Sequence, residues 1–150
     1  MIKMAEEIKK FLEKFLSFLE ITNFNIDVAE EEEIIKVNLR LDGAGLLIGA
    51  AGEHLRDLEY VLRAVLQRQN CAKRVVLDIN NYRHNREEFL KELAKETAHK
   101  VILTKKPIKL PAMNAYERRI IHMELATHPD VATESVGEEP ERYLVVKPYP

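Results

Sequence analysis

Apolar residues recur at three- and four-residue intervals through Ile8, Phe11, Leu12, Phe15, Leu16 and Leu19, which predicts an amphipathic helix with one buried face. After Thr22-Asn23 the period changes to two. Phe24, Ile26 and Val28 alternate with polar residues, and beyond the acidic run Glu30 to Glu33 so do Ile35, Val37, Leu39 and Leu41, so two strands in a hairpin are expected. A short apolar patch, Leu46-Leu47-Ile48, is followed by a helical pattern through Leu55, Leu58, Val61, Leu62, Val65 and Leu66, and then by a strand through Val75, Leu77 and Ile79.

From Tyr82 a second helical pattern begins, with Asn80 or Asn81 as its expected cap and Phe89, Leu90, Leu93, Ala94, Thr97 and Val101 on one side. Pro107 and Pro111 bracket a short extended piece, and Asn114-Ala115-Tyr116-Glu117 has the spacing of a capping box that opens another helix. That helix stops near His128-Pro129. Two strands, about 131–136 and 142–147, are expected to join through Gly137-Glu138-Glu139-Pro140. The pattern therefore reads as an α+β chain of two domains, residues 1–80 and 81–150.

Composition narrows the function classes. One cysteine, Cys71, excludes an internal disulfide framework and a cysteine-based zinc cluster, and no apolar run approaches the ~20 residues of a membrane helix. These features predict a cytoplasmic protein with no membrane association. The net charge of -2 hides an uneven distribution: residues 1–42 carry -4, residues 43–80 carry +1, residues 81–126 carry +4 and residues 127–150 carry -3. The middle is basic and both ends are acidic, a distribution that solvated helix faces also produce, so the motifs decide.

Four of the five glycines, Gly43, Gly45, Gly49 and Gly52, fall within ten residues. Gly49-Ala50-Ala51-Gly52 leads directly into a helix, so its backbone amides sit at a positive dipole end that attracts phosphate oxygens. Missing side chains at the two glycines would admit a sugar-phosphate chain, with bases lying over an apolar groove of Ile48, Leu55 and the neighbouring strand. His54 and Arg56 follow just inside the helix and add charge. This loop, in the order helix, strand, strand, short helix, Gly-x-x-Gly, helix, strand, resembles the type II KH module, which clamps about four nucleotides of single-stranded RNA or DNA. Family loops commonly carry Lys or Arg between the glycines, where this chain has two alanines.

Arg118 and His122 are four apart on one predicted helix and Arg119 stands beside them. A guanidinium fork suits phosphate, and an imidazole can bond a phosphate or stack on a base. The segment from Pro111 to His122, with Gly137-Glu138-Glu139-Pro140 behind it, resembles the R-three-H domain, a small α/β module that binds single-stranded nucleic acid and is named for Arg-x-x-x-His. With the two modules in this order the chain resembles the bacterial Jag family, also called KhpB or the SpoIIIJ-associated protein, without the N-terminal domain that many members carry. The resemblance implies a non-catalytic RNA chaperone or post-transcriptional regulator linked to cell growth and division. It implies as partners single-stranded RNA, or alternatively single-stranded DNA, and a small stand-alone KH protein or a second copy of the chain. It implies RNA-binding roles for Gly49, Ala50, Ala51 and Gly52 of the loop and for Arg118 and His122 of the motif; Ile48 in the apolar groove, His54 and Arg56 after the loop and Arg119 beside Arg118 are expected to bind RNA from their positions.

Two other classes compete. A protein-interaction or ribosome-associated adaptor would use the acidic ends and apolar helix faces. A ribonuclease would use Arg118, His122 and Glu124, but the pair lacks a second well-placed base. No metal ligand set and no cofactor motif is expected: His54 and Asp57 share a helix face without a third ligand.

Overall fold

Helix α1 (Ile2–Phe18) buries Ile8, Leu12 and Leu16 completely, the face that their spacing predicts. They close over the inner side of a three-stranded sheet made of β1 (Phe24–Glu30), β2 (Ile34–Leu41) and, across an excursion of two helices, β3 (Arg74–Ile79). Sheet order is β1-β2-β3, with β1 antiparallel to β2 and β2 parallel to β3. In β2 the alternation is complete: Ile35, Val37, Leu39 and Leu41 point inward, and Lys36, Asn38 and Arg40 face solvent.

A parallel pair needs a crossover, here the short α2 (Gly45–Ile48), one 3-10 turn (Ala50–Gly52) and α3 (Glu53–Arg68). Leu55, Leu58, Leu62 and Leu66 seat α3 in the same core. Each fully buried leucine contributes roughly 1.5–3 kcal/mol relative to exposure, so this stripe fixes where the Gly-x-x-Gly turn begins. The structure describes residues 2–150 as a computed structural model, and the chain divides after Tyr82 into two compact units.

The second unit, from Arg83 onward, is built on α4 (Tyr82–Thr104, whose first residue belongs to the first unit), β4 (Ile108–Lys109), α5 (Ala115–Leu125), β5 (Val131–Val136) and β6 (Tyr143–Pro148). The strands form a sheet of order β4-β6-β5, antiparallel throughout. Leu90, Ala94, Ala98 and Val101 of α4 pack with Ile121 and Leu125 of α5 and with Leu144 and Val146 of β6. The fold is thus α+β with two small sheets.

One expected cap fails. Asn80 and Asn81 lie at φ 53° and 57°, in the left-handed region, instead of the extended region an N-cap adopts. The Asn80 side chain is spent across the sheet, its Oδ1 accepting from the Leu41 amide (3.0 Å) and its Nδ2 donating to the Leu41 carbonyl (2.8 Å). It extends the β2-β3 pairing by one residue in side-chain form.

Candidate nucleic-acid interface

In the first unit α2 ends on Gly49 at φ 71°, ψ 178°, a region open essentially to glycine alone. Ala51 follows at φ 53°, ψ 28°, and Gly52 at φ 77°, ψ 19° stands at the N-cap of α3. No side chain caps that helix, so its first amides keep their free dipole end. Two basic side chains fasten the turn from within: His54 Nδ1 donates to the Leu46 carbonyl (2.6 Å) and Arg56 Nη1 donates to the Ala51 carbonyl (2.8 Å). Ala50 is exposed and Ala51 half-buried, so neither competes with a ligand for room.

The glycines have an internal reason as well. A Cβ at Gly49 would come within 2.7 Å of His54 Cγ and 2.9 Å of the His54 backbone nitrogen, and one at Gly52 within 2.9 Å of Tyr82 Cε1. The apolar floor differs from expectation. Leu55 is 1% exposed and belongs to the core, and Ile48 packs partly against it. The open apolar surface lies to the side, where Phe15, Leu19, Leu46, Leu58 and Val61 line a hollow of about 380 Å³. Leu46, 70% exposed, is its most accessible wall.

In the second unit Asn114 caps α5, its Oδ1 accepting from the Glu117 amide (2.9 Å). Glu117 does not complete the box. Its carboxylate turns inward, where Oε1 accepts from Arg86 Nε of α4 (2.8 Å) and Oε2 is buried without a hydrogen bond. Arg118 and His122 project from neighbouring parts of α5 but meet different surroundings. Arg118 is 9% exposed; its Nη1 donates to the Met113 carbonyl (2.6 Å) and its Nη2 to Glu139 Oε1 (2.5 Å). The Arg118 hydrogen bond holds the Glu139 carboxyl below the usual carboxylate range.

His122 is exposed, with Nδ1 at 2.6 Å from Thr133 Oγ1 of β5, which leaves Nε2 as the ring's second hydrogen-bonding atom. Arg119 is exposed and, among the described residues, has no ion pair. The loop residues 48–52 with His54 and Arg56 thus gather in the first unit, and Arg118, Arg119 and His122 in the second. Sequence reasoning passed over Glu139 and Thr133, the side chains that hold Arg118 and His122. The Gly-Glu-Glu-Pro motif was visible, but as a turn; nothing in it announced a carboxylate reaching back to Arg118.

Residues 88–148 match the R-three-H domain family. The second unit carries an R-three-H domain. The matched stretch contains the sequence Arg118-x-x-x-His122, the Glu139 turn and all three strands of the sheet. Similarity continues beyond this domain. The chain is 40% identical over 145 residues to the RNA-binding protein KhpB of Clostridium symbiosum, covering 95% of this chain and 65% of that protein. It is 36% identical over 125 residues to the RNA-binding protein KhpB of Bacillus subtilis (81% of this chain, 60% of that protein). The same identity extends over 123 residues of the RNA-binding protein KhpB of Lactiplantibacillus plantarum (81% and 38%). The chain therefore spans less than two thirds of the length of these relatives. Among the described residues no helix is long and apolar enough to cross a membrane.

Proposed function

We propose that this chain is a KhpB-type, non-catalytic RNA-binding protein of the cytoplasm, in which a type II KH module and the R-three-H domain each engage single-stranded RNA. The observation that carries the reading is the loop at residues 49–52, an uncapped helix N-terminus behind a glycine turn, inside a chain whose similarity to RNA-binding proteins runs through both units. The helix-strand-strand-helix-loop-helix-strand order and the mixed three-stranded sheet support the KH assignment of the first unit. Ala50 and Ala51 contribute no charge, so the loop guides the backbone through its amides. Arg119 and His122 supply exposed polar contacts, while Arg118 shapes the R-three-H surface from beneath. An RNA chaperone or post-transcriptional regulator needs this kind of sequence-tolerant backbone contact.

Fluorescence anisotropy with a labelled, unstructured oligoribonucleotide tests the reading. Binding should weaken with salt at a log-log slope of about -0.7 per phosphate contacted. Ala50→Asp with Ala51→Asp should leave the fold intact and lower affinity, because two carboxylates would face the phosphates. Unchanged affinity would remove the loop from the interface. The hollow beside Leu46 favours a second reading, an adaptor that docks a protein on the first unit. Retention of a partner protein alongside undetectable RNA binding would select it.

A further inference from the structure

The outer arc of α5 is chemically unlike the outer face of α1, which is dominated by Lys and Glu. At 3.6 residues per turn, Tyr116, Met123, Arg119 and His122 follow one another round about 120° of the helix, and Glu117, Ile121, Leu125 and Arg118 fill the buried side. Tyr116 is 65% and Met123 62% exposed. An aromatic ring, a thioether, a guanidinium and an imidazole thus share one open surface.

The electrostatics of that surface are biased. The carboxylates on or facing α5 have partners elsewhere: Glu117 is held by Arg86, Glu139 by Arg118, and Glu124 lies 3.8 Å from Lys95 Nζ. Arg119 has none among the described residues. A ligand that fits must offer a flat π-face to the phenol and an anion to the guanidinium one turn away, about 4.5 Å along the axis. A nucleotide with an unpaired base has both; paired bases keep their faces stacked on one another.

We infer that Tyr116 is a stacking site for an unpaired nucleobase of single-stranded RNA, with Met123 flanking the base and Arg119 holding the adjoining phosphate. This rests on the RNA-binding reading above and gives its second centre a specific contact that neither the Arg-x-x-x-His motif nor the relatives' names supply. Arg118 lies beneath the site and positions the Glu139 turn; Tyr116 touches the ligand.

The test uses the whole chain and three substitutions. Tyr116→Ala should weaken binding of an unstructured oligoribonucleotide roughly five- to hundredfold, the range for losing one stacked base, whereas Tyr116→Phe should stay within about twofold of the parent. Unchanged far-UV circular dichroism and melting temperature separate this from misfolding. The chain has no tryptophan, so the indole introduced by Tyr116→Trp is a unique fluorophore, and saturating RNA should quench it. Parent-like affinity in Tyr116→Ala overturns the site, as does an indole emission indifferent to bound RNA. Equal losses in the Phe and Ala variants would assign the contact to the hydroxyl and overturn stacking. If the parent protein binds no unstructured RNA at all, the RNA reading itself fails and the site fails with it.

Discussion

A methyl group at Gly49 would press on the His54 ring and backbone, at a φ, ψ pair that residues with a side chain hardly visit. Gly49→Ala should therefore cost about 1–3 kcal/mol of folding stability, read from denaturant unfolding, even without RNA. The glycine spacing was legible in the sequence; the reason for it was legible only in part. A pattern of glycines signals an unusual backbone path, but whether the missing side chain makes room for a ligand or for a histidine of the same chain depends on contacts that close in three dimensions. Arg118 carries the same lesson. Its type and spacing were visible, but its burial follows from Glu139, twenty-one residues away, and from a carbonyl at Met113 that has no sequence signature.

Helices and strands were the most readable level, because periods of 3.6 and 2 are imposed by burial on one side, and both cores are one-sided. Caps were less so. Asn114 performs as its spacing predicts, and Asn114→Ala should destabilise the second unit by about 1 kcal/mol in thermal or denaturant melts. Asn80 instead bonds across to Leu41, since a residue at the end of β3 sits beside the stretch of β2 that runs past the β2-β3 ladder before it meets the first amides of α4. The Glu139 turn is held to α5 by an ion pair that responds to acid. Because the folded protein lowers the Glu139 pKa, its contribution is present above the ordinary carboxylate range and is lost as pH falls through the depressed folded value. Melting curves of the parent and Glu139→Gln should converge as the pH is taken down through the acid range, with the parent the more stable near neutrality. A constant gap down to the lowest pH would show that the carboxylate's charge is not what holds the turn.

At the scale of the whole chain, a net charge of -2 conceals a basic span, residues 81–126 at +4, between acidic ends, and two centres in separate units on one polypeptide. Linked centres on one RNA raise each other's effective concentration. Combining Ala50→Asp, Ala51→Asp with Arg119→Ala, His122→Ala should bring affinity for a long RNA down by more than either pair does alone. For an oligonucleotide too short to reach both centres, the variant pair at the unused one should have little effect. The order of elements was readable because each element rests on a local periodicity, whereas the surface round Tyr116 emerged only when the buried side of α5 was known.

Tyr82 adds something of practical use. Its ring edge lies where a side chain at Gly52 would have to be, so the first residue of α4 is a wall of the glycine turn. On the proposed function, an RNA backbone settling on that turn would change the magnetic surroundings of the Tyr82 phenol. Selective labelling of tyrosine rings then gives an intrinsic gauge of loop occupancy, independent of the Tyr116 contact and needing no dye on either molecule.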